Sequence, residues 1–121
     1  MTTTDRTQFL ADILSTALEG GINYWATVDT IERVDAPEDI LGWRYDTARI
    51  LDHQDGSDFG TMHTIDLATV AHGLALMADD PNPRFDDLRT ADRTNGDQGD
   101  FDAGDADATI QLGLYEHLIY G

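Results

Sequence analysis

The spacing of apolar residues along this chain changes from a helical period to a strand period and back again, and few folds accommodate that order. From about Arg6 to Leu18, the residues Phe9, Leu10, Ile13, Leu14, Ala17 and Leu18 recur as one buried helical stripe. Gly20-Gly21 is expected to close this helix, because glycine accepts the left-handed conformation at a helix end. Ile22, Tyr24, Ala26 and Val28 then alternate with Asn23, Trp25, Thr27 and Asp29, which predicts a strand with Tyr24 and Trp25 on opposite faces. Pro37 is placed to open one helical turn. A second strand is expected from about Gly42 to His53 and a third from about Phe59 to Thr64, joined by the turn signal Asp55-Gly56-Ser57.

The helical period then returns. Asp66 is placed to cap a helix carrying Leu67, Val70, Ala71, Leu74, Ala75 and Met77 to about Asp79. Asn82-Pro83 opens a short helix through Phe85 and Leu88. From Asp92 to Gly104 the periodicity vanishes, and this stretch reads as a mobile acidic loop. Asp105 is expected to cap a last helix whose stripe is Ala106, Ile110, Leu114 and Leu118, stopped by Gly121. Helix, three strands and two or three helices make one α+β domain over residues 1–121. Its expected form is a three-stranded antiparallel meander with an N-terminal helix and the C-terminal helices packed on it. A chain of 121 residues buries a sufficient core without staples. That core is expected to hold Phe9, Ile13, Leu14, Val70, Leu74, Ile110, Leu114 and Leu118.

Charge says less about fold and more about partners. There are 24 acidic residues against seven arginines and no lysine, a net charge of −17. High-GC coding explains arginine in place of lysine, and a halophilic host would also enrich aspartate; neither alone accounts for so deep a deficit. Such a surface repels nucleic acid and anionic membranes, so neither is expected as a partner, whereas a basic protein surface is favoured. Without cysteine there is no disulfide, thiolate metal site or thiol nucleophile. No apolar run approaches a membrane span and the first residues lack a signal-peptide pattern, so the expected location is cytoplasmic.

No motif names a chemistry. The run from Asp97 to Asp107 invites comparison with a calcium loop. Counted from Asp100, however, the fifth residue is Gly104, the sixth Asp105 and the twelfth Gln111, where an EF-hand needs a ligand, glycine and glutamate. His53, His63, His72 and His117 lack metal-ligand spacing, and neither Ser15 nor Ser57 lies in a nucleophile elbow. The expectation is therefore a non-enzymatic protein with no cofactor and no metal. The segment Glu19-Gly20-Gly21-Ile22-Asn23-Tyr24-Trp25 is either a structural helix-to-strand joint or a binding site whose outward ring anchors a partner.

Ala17-Leu18-Glu19-Gly20-Gly21-Ile22-Asn23-Tyr24-Trp25, with Ile110-Gln111-Leu112 and Tyr120-Gly121, resembles a loose group of small acidic proteins of bacteriophages and mobile elements in high-GC, actinobacterial-type hosts. The resemblance covers about a quarter of the chain and transfers context rather than catalytic residues. It implies an accessory factor acting on a host protein. The acidity of the chain adds the expectation that such a factor occupies a nucleic-acid-binding surface of a host defence or regulatory protein by imitating DNA.

Magnitude limits that idea. Surface scaling gives about 6,400 Å² for a chain of this mass, hence roughly 380 Å² per net charge. A DNA cylinder presents roughly one charge per 105 Å². Imitation therefore requires the acids to cluster. Residues 1–60 hold twelve acids and four arginines, net −8, and residues 61–121 hold twelve and three, net −9, so the halves do not differ. The densest stretch, Asp79 to Asp107, has ten acids and three arginines. Partner-binding residues are accordingly expected at Asp97, Asp100 and Asp102, with Tyr24 or Trp25 as the apolar anchor. The alternatives are a binder of a small, nucleotide-derived ligand using Arg44 and Arg49, or a structural protein whose acidity is only adaptation. Arg44 and Arg49 have opposite strand parity and share a face only if a bulge intervenes.

Overall fold

The computed structural model describes residues 3–37 and 41–121. Helix α1 (Thr3–Thr16) runs into a wide π-helical turn (Ala17–Gly21), followed by strands β1 (Ala26–Asp35), β2 (Trp43–Asp52) and β3 (Thr61–Asp66). Helix α2 (Leu67–Ala78), a 3₁₀ turn (Pro83–Phe85), α3 (Asp86–Thr94) and α4 (Ala103–Tyr115) complete the chain. The sheet order is β1-β2-β3 with both pairings antiparallel, so the expected α+β meander is what the chain forms. The helical turn expected from Pro37 falls partly outside the described residues.

Two bulges reshape the sheet. Val28 faces Ile50 but Thr30 faces Arg49, so Asp29 is an extra residue in β1. Glu32 faces Thr47 but Arg33 faces Tyr45, which makes Asp46 an extra residue in β2. An extra residue reverses the alternation of side chains beyond it. Ala48, Ile50 and Asp52 point inward from one half of β2, whereas Trp43 and Tyr45 turn inward from the other; Tyr45 packs on the core and the Arg33 guanidinium lies 4.7 Å above the Trp43 ring.

The helices cover the inward face. Phe9, Ile13, Leu14, Val70, Leu74 and Ile110 are buried as expected, together with Trp25, Ile50, Ile65, Phe85 and Leu88. Helices α2 and α4 approach backbone to backbone. A Cβ on Gly73 would overlap the Thr109 carbonyl oxygen, and one on Gly113 would overlap that of Thr69. Asp66 caps α2 as expected, exchanging hydrogen bonds with Thr69.

Four local expectations need correction. Gly20 and Gly21 do not take the left-handed conformation; they belong to the π turn, and Gly21 is there because a Cβ would come within 2.7 Å of the Ala103 carbonyl oxygen of α4. The first strand starts at Ala26, leaving Tyr24 and Trp25 in the preceding turn. Helix α4 begins one turn earlier than expected, capped by Asp102 in reciprocal hydrogen bonds with Asp105 (2.8 and 3.1 Å). It also ends earlier, at Tyr115, where Glu116 adopts φ 65° and closes the helix, so Leu114 is half-buried and Leu118 is exposed. Of the stretch Asp92–Gly104, only residues 95–102 lie outside helices.

Candidate functional site

The π turn after α1 aims Tyr24 and Trp25 together at α4. The Trp25 indole Nε1–H donates to Asp107 Oδ1 (2.7 Å), the Tyr24 hydroxyl donates to Asp107 Oδ2 (2.5 Å), and Gln111 Nε2, one helical turn on, donates to Oδ1 (3.0 Å). Asp107 is buried, and three donors replace the water it gives up. Burial, then the hydrogen bond to Asp107 and its charge, push the Tyr24 phenol up to about 12.

A second carboxylate lies at the end of β2. Asp52 is fully buried and accepts from the hydroxyls of Tyr115 (2.6 Å) and Tyr120 (2.7 Å) and from the Gln54 backbone N–H (2.9 Å). The Tyr115 hydroxyl also lies 3.0 Å from His63 Nε2. Trp25 separates the two carboxylates, stacked on Tyr120 (5.2 Å, 21°) and edge-on to Tyr115 (6.1 Å). Burial first, then Asp52, raises Tyr115 far above its ordinary value and Tyr120 to about 12. Phenols held neutral in this way serve as hydrogen-bond donors and not as nucleophiles near neutral pH.

The expected anchor pair thus divides. Trp25 is wholly inaccessible while residues 118–121 are in place, its N–H bonded to Asp107 and its ring packed against Tyr120 and Tyr115, so it is no outward anchor. Tyr24 remains half-exposed. The Glu19–Trp25 segment is a joint that ties α1 to α4, and its Tyr24 and Trp25 meet Gln111, Tyr120 and Gly121 here.

The expected acidic residues lie around two clefts on either side of residues 95–102. The first, of about 580 Å³, lies between α1 and the end of α3 and includes Asp5, Gln8, Asp12 and Asp97. The second, of about 270 Å³, is lined by Arg84, Asp87, Asp100, Phe101, Asp102 and Asp105. Phe101 packs edge-on against Phe9 (5.9 Å) beneath the loop. The loop is fastened at both ends: Thr94 Oγ1 donates to the Gln98 carbonyl (2.9 Å) and accepts from its N–H (3.0 Å), and the Asp100 N–H donates to the Asp87 carbonyl (3.3 Å). Arg6 is pinned to Asp92 (2.7 Å) and Asn95 (3.2 Å). Burial raises Asp105, with the neighbouring Asp102 charge acting in the same direction and Arg84 opposing it. Arg84 also acts on Tyr24, so the second cleft and the half-exposed phenol share one cation.

The bulge at Asp46 decides the arginine question. By register it puts Arg44 on the same face of the sheet as Arg49, which lies beside Thr30 and Thr64; Arg49 is exposed, whereas Arg44 is half-buried with its Nε inaccessible. Among the described residues no group of three or more His or acidic side chains is disposed to hold a metal, and no helix is long and apolar enough to cross a membrane.

Sequence reasoning missed Asp52, Asp107, Gln111, Tyr115 and Tyr120. A signal existed for three of them. Asp52 continues the inward alternation of Ala48 and Ile50, and Asp107 and Gln111 stand four apart beside the apolar stripe of a helix. No protein-family model, curated protein or solved structure shows significant similarity to this chain.

Proposed function

We propose that this chain is a non-enzymatic acidic interaction protein that covers a basic protein surface with residues 95–102 and the clefts on either side. Its class would be the accessory proteins of phages and mobile elements, and its partner a host surface that otherwise holds nucleic acid. One observation carries the reading: seven carboxylates line the two adjoining clefts, against Arg84 as their one cationic lining residue. Averaged over its 6589 Å² surface the chain has only one net charge per about 390 Å², so this local crowding is what a DNA-like partner requires. Phe101 and Phe9 stiffen the loop from below, and Tyr24 offers an exposed ring near Arg84. Long-range attraction would set a fast, salt-sensitive association, and the apolar contacts would set dissociation.

The test is the triple variant Asp97→Asn, Asp100→Asn, Asp102→Asn. Asparagine caps a helix about as well as aspartate, so α4 keeps its start and the variant stays folded. Host-lysate proteins retained by the wild type at about 50 mM salt should be released at about 500 mM, where screening shortens to a few ångströms. They should be lost from the triple variant, and duplex DNA should not bind at either salt. A partner held equally by the triple variant, or tight salt-insensitive binding of nucleic acid, would overturn the reading.

A second reading rests on the bulge. Arg44 and Arg49 on one face, about 15 Å apart along the strand, suit a small ligand with two separated anionic groups better than a single phosphate. A thermal-shift screen with dinucleotides, repeated on Arg49→Ala, decides it: no shift, or an identical shift in the variant, removes it.

A further inference from the structure

Beyond Glu116 the chain leaves α4 and turns back without regular structure, yet its end is held closely. Gln111 uses both ends of its amide on that segment. Its Oε1 accepts from the backbone N–H of Ile119 and of Tyr120 (both 2.9 Å), and its Nε2 donates to the Tyr120 carbonyl (3.3 Å). The Tyr120 ring lies flat on the Trp25 indole, and its hydroxyl donates to Asp52. Leu118 and Ile119 contribute little anchoring, being 44% and 47% exposed. The segment is therefore held by one ring, one hydroxyl, two backbone N–H groups and one carbonyl, much as a binding pocket holds an extended peptide.

The walls of this pocket do not depend on the segment. Trp25 is fixed by Asp107, Asp52 by Tyr115 and the Gln54 N–H, and Gln111 by Asp107 and Tyr24. Withdrawal of residues 118–121 would leave an indole platform, a carboxylate acceptor and a primary amide facing a vacated space. Those three groups match an aromatic ring, its hydroxyl and a peptide backbone.

We propose that Trp25, Asp52 and Gln111 form a binding pocket for a tyrosine-bearing peptide segment, which residues 118–121 of this chain fill in cis and which a partner's tyrosine-bearing segment enters by displacing them. The pocket requires an unmodified phenol, since the hydroxyl must donate to a carboxylate and a phosphorylated ring would meet that carboxylate with like charge. Its residues differ from those of the acidic clefts, so the two proposals stand or fall separately.

The test uses the full chain carrying Tyr120→Ala and the peptide acetyl-Leu-Ile-Tyr-Gly-amide. The peptide should bind saturably and shift the Trp25 indole N–H resonance. Its phenylalanine analogue should bind about tenfold or more weakly, the usual loss for a hydrogen bond to a charged group. The phosphotyrosine analogue should not bind. In the wild type the tethered segment competes at an effective concentration on the order of millimolar, so the same resonance should move only above that range. Folded Tyr120→Ala that ignores the peptide, or binds all three peptides alike, overturns the proposal. If Tyr120→Ala does not fold, the wild-type titration decides: an indole resonance unmoved at about 10 mM peptide, well above that effective concentration, overturns it equally.

Discussion

Replacing Asp107 by alanine is the sharpest test of what joins the first helix to the last. The carboxylate accepts from Trp25, Tyr24 and Gln111, and the three losses are unequal. Tyr24 is half-exposed and can turn its hydroxyl to water, while Gln111 Nε2 keeps the Tyr24 oxygen and the Tyr120 carbonyl. Trp25 is fully buried, and its N–H has no second acceptor among the described residues. Leaving that donor unpaired costs about 1–3 kcal/mol, and each lost hydrogen bond to a charged group about 1.5–3 kcal/mol, offset by no longer burying a carboxylate. A net loss of about 3–4 kcal/mol follows, against a total stability of about 6–18 kcal/mol for a domain of this length. With an unfolding entropy of roughly 250 cal/mol/K for this length, the melting temperature should fall by about 12–16 °C.

Asp107→Asn should cost far less, about 1 kcal/mol, because its carbonyl oxygen still accepts from Trp25 and the Tyr24 hydroxyl can rotate to accept from its amide. Urea unfolding followed by tryptophan fluorescence, with calorimetry alongside, measures both variants. In Asp107→Ala the Tyr24 phenol should also titrate lower than about 12, since two of its three upward influences are removed. An Asp107→Ala protein within about 1 kcal/mol of wild type, or one no worse than Asp107→Asn, would refute the reasoning, because the buried Trp25 donor would then have found another partner.

Other outcomes follow from the same structure. Tyr24 and Tyr120 are raised to about 12 and Tyr115 further, against an ordinary 10.0, so the folded state favours the protonated phenols. The stability they contribute is intact below pH 10 and is lost as pH rises toward 12; a urea midpoint that stays flat across that window would contradict it. Gly73→Ala and Gly113→Ala should each lower stability by about 1–3 kcal/mol by forcing α2 and α4 apart, measured by thermal melting, with no change expected if the helices separate freely. Molar salt, and acidification from about pH 7 to 5, should raise the melting temperature by relieving repulsion among the carboxylates. The raised Asp105 acts in the same sense, since its contribution is present at low pH and lost as pH rises. Asp55 acts in the opposite sense. The hydroxyls of Ser57 and Thr61 and the Ser57 N–H hold it near 2, so its contribution disappears as pH falls from 3.8 through 2, and stability should peak between these regimes.

What the sequence made legible depended on the range of the interaction that decided each feature. The stripe from Phe9 to Leu18 and the Asp66 cap are set by neighbours a few residues away and appear where the sequence places them; the three strands form in the expected order, the first displaced to Ala26–Asp35. The start of α4 was misplaced by three residues because Asp102 and Asp105 are both good caps, and the choice rests on a reciprocal pair of hydrogen bonds. The sequence left open whether Arg44 and Arg49 share a face, because it did not place the bulges. One extra residue at Asp46 reverses the alternation, and nothing in the run Tyr45-Asp46-Thr47 marks it, since what it accommodates is the packing of Tyr45 on a core built from distant elements. The carboxylate pockets were hidden for a different reason. Among 24 acids, the position of Asp52 in the alternation and of Asp107 beside the stripe is too weak a mark to single them out, because their partners Tyr24, Trp25, Tyr115 and Tyr120 lie 63 to 83 residues away. The excess of surface charge thus masked the two acids that, among the described residues, are buried. Composition reveals an acidic exterior, but only topology distinguishes an acid that repels its neighbours from one that joins two ends of the chain.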